Sequence, residues 1–297
     1  METSLYIANE RITAVVGHAV DGHACIKQYA SVPLAAGSVL GGVITDEKGL
    51  SEALLQLREA FQGGWKRVRL VIGGNQINVK RAVVPKISQK QLKDWVANEF
   101  SDVELDDDAL ICEYMLLSDL GKDKGNTALL CAAKESLIAS YVELFDTLGI
   151  KIACINTTLP VLQKLVRFLE KNRQGACIVL SMDGNALDAT LFVRGEFRFN
   201  NRARLIAARG TAESTAEISR MVSSIIQFNL SERSGESITN VYVIGCRPEE
   251  NDMLQNISTA YDLPAAVLKD SGHVVTAPDS AFALSDYAYA VANLGGM

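Results

Sequence analysis

The stretch VRLVIG at residues 68–73 is a short apolar run that ends in glycine, and VYVIG at residues 241–245 repeats the pattern. Upstream of each run a strand-turn-strand pattern begins, with LYI at residues 5–7 and IVL at residues 178–180. The two copies are 173 residues apart at both landmarks, since 178 − 5 and 241 − 68 are equal. Short apolar runs bounded by glycine are typical of buried strands. The shared spacing predicts one fold used twice.

The composition predicts a soluble protein of about two domains. The chain has 297 residues, a net charge of −6 and 48% hydrophobic residues, which suits two cores of ordinary size. The acidic balance gives no reason to expect nucleic acid as a partner. Basic residues do cluster in the second half, and we interpret them as a solvated edge, with an acidic partner or a membrane surface left open. They are Arg194, Arg198, Arg202, Arg204 and Arg209.

Cysteine usage and the absence of targeting signals predict a cytoplasmic location. The six cysteines include no CxxC pair and no signal peptide precedes them, which fits a reducing compartment. His18, His23 and Cys25 have no second ligand cluster, so we expect polar hairpin residues and no metal site. No apolar run approaches the ~20 residues that cross a bilayer. We therefore expect membrane association only through a partner.

A separate unit interrupts the first half. The sequence SQKQ at residues 88–91 matches a capping box, which marks the start of a helix. Two strands, a second helix and a third strand follow, so we predict an α-β-β-α-β insertion. The predicted domains are a first domain of residues 1–85 and 153–174 with the C-terminal helix, an inserted subdomain of residues 86–152, and a second domain of residues 175–280 with a small helical part at 203–238.

Duplicated hairpin sheets with this insertion resemble the actin-like ATPase fold. The predicted fold class is thus α/β, with duplicated actin-like (ribonuclease H-like) domains. Actin and sugar kinases lack such an insertion, whereas FtsA and PilM carry one. The chain most resembles the PilM family of type IV pilus assembly, followed by the cytoplasmic domain of the GspL-like proteins of type II secretion. The resemblance covers essentially the whole chain, and its landmarks are VP at residues 84–85, LGIK at 148–151 and VIG at 243–245.

The resemblance implies a nucleotide site made of two hairpin turns and an adenosine-binding strand. Glycines would let backbone N–H groups approach phosphate, and an acid at each hairpin would hold hydrated Mg²⁺. The first hairpin reads YIANERI at residues 6–12, the second reads SMDGNALD at 181–188, and the strand ends in IGCRP at 244–248. By position only, the resemblance places in this site Asn9, Asp183, Gly184, Asn185 and Gly245.

These motifs depart from the family pattern at all three places. The adenosine-binding strand has one glycine, Gly245, where the family has two or three. The first hairpin lacks glycine and has only Glu10 as an acid, where the family has Asp-x-Gly-Ser-x-x-x-Lys. The second keeps an acid and a glycine in a displaced order, and DGN at residues 183–185 is equally an ordinary turn tripeptide. The sequence shows no Ser-His-Asp, Cys-His or paired-carboxylate arrangement. We therefore expect a degenerate ATPase without catalysis, metal or cofactor, and keep binding of ATP with Mg²⁺ as the alternative.

For function, the resemblance implies a cytoplasmic scaffold of a type IV pilus or type II secretion platform at the inner membrane. It implies a groove between the first domain and the insertion that holds the cytoplasmic tail of a PilN-like single-span protein, with other platform proteins as further partners. The alternative is an active actin-like ATPase or ATP-dependent kinase. An FtsA-like filament former would end in a basic amphipathic helix, but residues 280–297 contain neither Lys nor Arg.

Overall fold

The computed structural model describes residues 1–62, 64–103, 108–121, 124–169, 174–232, 235–270, 272–277 and 280–296. The chain divides into two compact units. Unit 1 comprises Met1–Val16 and Gln28–Val161, and unit 2 comprises Gly17–Lys27 and Leu162–Met297. Among the described residues, no helix has both the length and the apolar character that a bilayer crossing requires.

Unit 1 is built from the first ten strands and three helices of the described chain, except for the end of β2 and the start of β3, which belong to unit 2. In order they are β1 (Glu2–Ile7), β2 (Arg11–Val20), β3 (His23–Pro33), β4 (Val39–Leu40), β5 (Val43–Ile44), α1 (Glu47–Glu59), β6 (Arg67–Ile72), β7 (Ile77–Val84), α2 (Gln89–Asn98), β8 (Leu110–Asp119), β9 (Asn126–Lys134), α3 (Glu135–Thr147) and β10 (Lys151–Thr157).

The main sheet of unit 1 has the strand order β10-β6-β1-β2-β3. Strand β6 runs parallel to both β1 and β10, so the apolar run at residues 68–73 lies in the middle of the sheet. Helix α1 begins at Asp46, whose carboxylate accepts from the Gly49 amide at 3.0 Å, as an N-cap residue does. Its buried residues Leu50, Leu54 and Leu57 share one helix face and pack into the core of this sheet.

The insertion has the predicted order of helices and strands but a different division between sheets. Ser88 and Gln91 form the predicted capping box, and α2, β8, β9, α3 and β10 follow one another as expected. However, β7 joins β9 and β8 in a small three-stranded sheet of order β7-β9-β8, and β10 joins the main sheet. The sequence pattern assigns residues 77–84 to the first domain. The structure instead pairs them with β9 in the small sheet of the insertion. An isolated strand pattern carries no information about its pairing partner.

Unit 2 repeats the architecture of the main sheet. Its elements are α4 (Thr158–Leu169), which begins in unit 1, β11 (Ala176–Asp183), β12 (Ala186–Val193), β13 (Glu196–Arg204), α5 (Ala212–Ser231), β14 (Ile238–Ile244), a 3-10 turn (Pro248–Glu250), α6 (Asn251–Tyr261), β15 (Ala265–Val267), β16 (Val274–Val275) and α7 (Leu284–Ala292). The strand order is β13-β12-β11-β14-β15. Strand β16 pairs with residues 24–25, which also belong to unit 2.

The strand orders confirm the duplication. In each unit an antiparallel three-stranded meander is followed by two parallel strands: β3-β2-β1-β6-β10 in unit 1 and β13-β12-β11-β14-β15 in unit 2. The common spacing of 173 residues does not extend to the pairing register, because Leu5 pairs with Leu70 while Ile178 pairs with Val241. The spacing thus identified equivalent strands. The register between β1 and β6 differs by two residues from the register between β11 and β14.

The two units have separate cores. Trp65, Tyr141 and Phe145 are among the largest fully buried side chains of unit 1. In unit 2, α5 buries one face, which includes Ile218, Val222 and Ile225. The C-terminal helix α7 lies in unit 2, where the hydroxyl of Tyr289 donates to Ser181 at 2.8 Å. The predicted domain boundaries stay predictions, because compact units and domains of a duplicated fold need not coincide.

Candidate functional site

The second hairpin forms a tight turn at the end of β11. Asp183 pairs with Ala186, so Gly184 and Asn185 are the two central residues of the turn. Gly184 has φ of +58°, the left-handed conformation that a two-residue hairpin needs at its first central position. The Asn185 carbonyl accepts from the Leu205 amide at 2.7 Å. The turn is thereby tied to the chain that follows β13.

Gly245 lies next to this turn, at the end of β14. Strand β14 runs parallel to β11, with Ile244 opposite Ser181. Gly245 has φ of +74°, and a Cβ there would lie within 3.0 Å of the Met182 carbonyl oxygen. Real side-chain carbons do not approach a backbone oxygen so closely. The close approach of two backbones is therefore a sufficient reason for glycine at this position, without a ligand.

The guanidinium of Arg209 bridges the turn and the strand end. It donates to the Gly184 carbonyl at 3.2 Å and to the Gly245 carbonyl at 2.7 Å. The same group pairs with both carboxylate oxygens of Glu250, with Nε to Oε1 at 2.7 Å. Only 2% of each charged side chain is exposed. A buried bidentate ion pair thus stands between the two elements that the resemblance assigns to nucleotide binding.

The charge of Glu250 is stabilised by its hydrogen bonds. Burial alone raises the pKa of Glu250, but hydrogen bonds from Arg209 and from the Arg247 amide outweigh burial and lower the pKa below its usual 4.5. The Arg247 amide donates to Oε2 at 2.7 Å. Burial and the nearby Glu250 raise the pKa of Cys246 to about 11. The thiol beside the ion pair is therefore protonated at neutral pH and is a poor nucleophile.

The first hairpin is held by neutral groups within unit 1. The side-chain oxygen of Asn9 accepts from the Gly41 amide at 3.0 Å. The next carbonyl, that of Gly42, accepts from the hydroxyl of buried Tyr141 at 2.8 Å. A Cβ on Gly42 or Gly74 would overlap the backbone of residues 73 and 41, respectively. The turn at Asn9 is thus closed by its own chain.

The structure therefore brings four of the five predicted residues together in unit 2 and places Asn9 in unit 1. Their binding of nucleotide stays a prediction. Sequence reasoning missed Arg209 and Glu250. The interpretation of the basic cluster as a solvated edge is wrong for Arg209, since Arg194 is 70% exposed but Arg209 only 2%. A glycine immediately after Arg209 and a helix N-cap at Thr211 were the only local signals that this arginine is held in place.

A second candidate site is a set of exposed apolar side chains at one end of the small sheet. Val83 of β7 lies opposite Thr127 of β9, and Leu116 of β8 lies opposite the next residue, Ala128, so the two side chains flank β9 on opposite faces of the sheet. The exposed fractions are 52% for Val83 and 47% for Leu116. Ile87 and Leu120, just beyond these strands, are 40% and 41% exposed. We call the four residues Val83, Ile87, Leu116 and Leu120 the apolar end.

The apolar end has both an edge and a polar border. Strands β7 and β8 are the two edge strands of the small sheet. Lys86 pairs with Asp119 at 2.7 Å beside the exposed apolar side chains. Apolar side chains on an edge strand are a combination that binds extended peptides. The described residues contain no group of three or more His, Cys, Asp or Glu side chains placed to hold a metal ion.

Comparison with known proteins adds evidence on the fold. No protein-family model matches the sequence, and no curated protein matches it. Among solved structures, a chain of the PilM–PilN type IV pilus biogenesis complex aligns over 93% of this chain and 90% of its own, with a TM-score of 0.79 and 12% identity. A Bacteroides thetaiotaomicron protein with an actin-like ATPase fold and unknown function aligns over 90% of both chains, with a TM-score of 0.53 and 11% identity.

The duplicated strand order and these likenesses define the class: the chain has an actin-like ATPase fold. Within that class, its fold is PilM-like, with the insertion between β6 and β10 and the high TM-score to the PilM–PilN structure. The predicted fold class and family resemblance are thereby confirmed at the level of the fold.

Proposed function

We propose that this protein is a cytoplasmic scaffold of a type IV pilus or type II secretion platform, which binds the tail of a single-span membrane protein and does not hydrolyse ATP. The observation that carries the proposal is the alignment of almost the whole chain with a structure described as a PilM–PilN complex. A PilN-like tail is then the expected ligand, and other platform proteins are the expected further partners.

The arrangement around Arg209 supports the absence of ATP turnover. Phosphate binding needs free N–H donors and cations. A guanidinium has five N–H donors, and here its nitrogens donate to both Glu250 oxygens and to the carbonyls of Gly184 and Gly245. A triphosphate at this place would have to displace the protein's own acceptors. Its negative charge would also meet the Glu250 carboxylate.

The apolar end supports tail binding. A membrane-anchored tail would add a strand to one of the two edge strands of the small sheet. Beside β8 it would find the exposed side chain of Leu116, and beside β7 that of Val83, for its own apolar residues. In β-augmentation the backbone supplies affinity and the side-chain contacts supply specificity. We propose the apolar end as the tail-binding surface.

Calorimetric titration of the intact protein tests both parts of the proposal. One titrant is a synthetic peptide with the sequence of a PilN-like cytoplasmic tail, and the other is Mg-ATP. We expect the tail to bind and Leu116→Asp to weaken binding at least tenfold, because a buried charge would face an apolar ligand. Leu55→Asp on α1 is the matched control, since Leu55 is 42% exposed on a helix that packs into the core of the main sheet. Deletion of residues 86–152 is unsuitable because it also removes the first two residues of β10, which pair with β6 in the main sheet.

The outcomes separate the proposal from its alternative. Equal loss of tail binding in both leucine variants would contradict the role of the apolar end, and no tail binding by the wild type would contradict the scaffold. No heat with millimolar Mg-ATP is expected. Micromolar binding of Mg-ATP that Asp183→Ala abolishes would instead support an active actin-like ATPase or an ATP-dependent kinase.

A further inference from the structure

Strand β13 presents a free edge in unit 2. Within the part of the chain that the structure describes, β13 pairs with β12 alone and is the first strand of the five-stranded sheet. Gln163 of α4 covers the beginning of this edge, where it donates to the Gly195 carbonyl and accepts from the Phe197 amide, each at 2.6 Å. The open part of the edge therefore comprises residues 199–204. At ~3.3 Å per residue this is roughly 20 Å, enough to pair with a short extended segment.

The same strand carries two arginines for which the described residues supply no counter-charge. Among the described residues, the structure shows neither a hydrogen bond nor an ion pair for Arg198 and Arg204. The Nε atom of Arg198 is buried without a partner, at a bulge where Phe197 and Phe199 face consecutive residues of β12. Bulges re-aim side chains and are frequent at functional edges. Arg202 lies between the two and pairs with Asp188 at 2.6 Å.

An exposed apolar side chain lies just beyond the end of β13. Ile206 is 93% exposed, although isoleucine is usually buried. The carboxylate of Glu217 accepts from the amides of Ile206 and Ala207, at 2.9 and 3.1 Å. Leu205, its other neighbour, is buried and bonded to the Asn185 carbonyl. The backbone is thus fixed on both sides of Ile206, so that the side chain is held outward.

We propose that the edge formed by residues 198–206 binds an extended acidic segment of a partner protein, which adds a sixth strand to the sheet of unit 2. The backbone of β13 supplies the ladder hydrogen bonds, Arg198 and Arg204 receive carboxylates, and Ile206 contacts an apolar residue at one end of the segment. Arginines on an edge also discourage pairing between identical edges, which leaves an oppositely charged strand as the fitting occupant. This surface is separate from the apolar end and does not depend on the proposed function.

Fluorescence anisotropy with the intact protein tests the proposal. The probe is a fluorescein-labelled eight-residue peptide that alternates glutamate and valine. Two control peptides replace glutamate by lysine or two of the valines by proline. We expect Arg204→Glu to weaken probe binding at least tenfold, since the change replaces a guanidinium that binds carboxylate by a group with the same charge as the probe. Arg220→Glu on α5 is the matched control, because Arg220 is exposed in the same unit and gives the same change in charge.

Each result supports or contradicts the proposal. Ile206→Ser should weaken binding a few-fold, Arg220→Glu should leave it unchanged, and both control peptides should fail to bind. Equal binding of the proline peptide would contradict strand addition, and equal weakening by Arg204→Glu and Arg220→Glu would mean unspecific attraction. Binding to vesicles of phosphatidylglycerol and phosphatidylcholine without binding to the probe would show a membrane surface instead. Arg204→Ser replaces Arg204→Glu if the latter does not fold, and Leu116→Asp should bind the probe normally.

Discussion

The two units hold the corresponding hairpin turn by different chemistry. In unit 2 the turn at Gly184 is fixed by a buried charged pair, Arg209 and Glu250. In unit 1 the turn at Asn9 is fixed by a neutral amide, and the loop it binds is held by the hydroxyl of Tyr141. Removal of one partner of a buried ion pair costs much more than removal of a neutral hydrogen bond. One position in a duplicated fold can thus be held by a buried ion pair in one copy and by a side-chain amide in the other, and we expect acid to weaken the ion pair first.

Of the changes considered, loss of the Arg209–Glu250 ion pair should lower the free energy of unfolding most. Glu250→Gln leaves the Arg209 guanidinium buried without a counter-charge, which we expect to lower the free energy of unfolding by about 3–5 kcal/mol. The double variant Arg209→Met with Glu250→Met should lose much less, because methionines remove both charges and fill similar space. Urea unfolding measures the change. Far-ultraviolet circular dichroism reports on the whole chain, whereas both tryptophans, Trp65 and Trp95, report on unit 1.

Glu236→Gln is the matched control for this prediction. Glu236 pairs with Arg194, whose side chain is 70% exposed, and such surface pairs contribute about 0–1 kcal/mol. If Glu250→Gln and Glu236→Gln changed stability by the same small amount, the Arg209–Glu250 pair would be no more important than a surface contact. A double variant as unstable as Glu250→Gln would show that packing, and not charge, is what the pair provides.

The next effect is a dependence of stability on acid. The folded-state pKa of Glu250 lies below its usual 4.5. The stability that depends on its charge is therefore fully present above about pH 4.5 and is lost as pH falls through the lower, folded-state value. Wild-type stability measured from pH 6 to pH 3 should fall more steeply than that of Glu250→Gln. Asp119→Asn tests the specificity, because the exposed pair with Lys86 also lowers the pKa of Asp119 but should change the slope less. Identical slopes in wild type and Glu250→Gln would contradict the prediction.

Much of this fold was predictable because several helices and strands have recognisable patterns in the local sequence. Apolar runs that end in glycine located β6 and β14, and the capping box at residues 88–91 located the start of α2. The pairing partners of β7 and β10 were not predictable, because strand pairing joins residues far apart in sequence. A two-residue difference in register between the units likewise leaves no trace in strand periodicity.

The candidate site was predictable in its backbone but not in its charges. Gly184 and Gly245 were found because positive φ and close backbone approach restrict the residue type to glycine. Arg209 and Glu250 are 41 residues apart, and each is an ordinary charged residue in its local sequence. Only the folded structure shows that the side chains of Arg209 and Glu250 meet where both are shielded from water. Local sequence likewise does not distinguish Arg204, which is exposed, from Arg209, which is buried, because both belong to one basic cluster.

The smallest loss of stability is expected for a variant in unit 1. Tyr141→Phe removes the hydroxyl that donates to Gly42 and should lower stability by about 1–2 kcal/mol, because the buried carbonyl loses its partner. Burial raises the pKa of Tyr141, so the hydroxyl keeps its proton throughout the acid and neutral range. Tryptophan fluorescence during urea unfolding should therefore show the same loss at pH 4 and pH 7. A loss that grows with pH in this range would mean that unit 1, too, is closed by a titrating group.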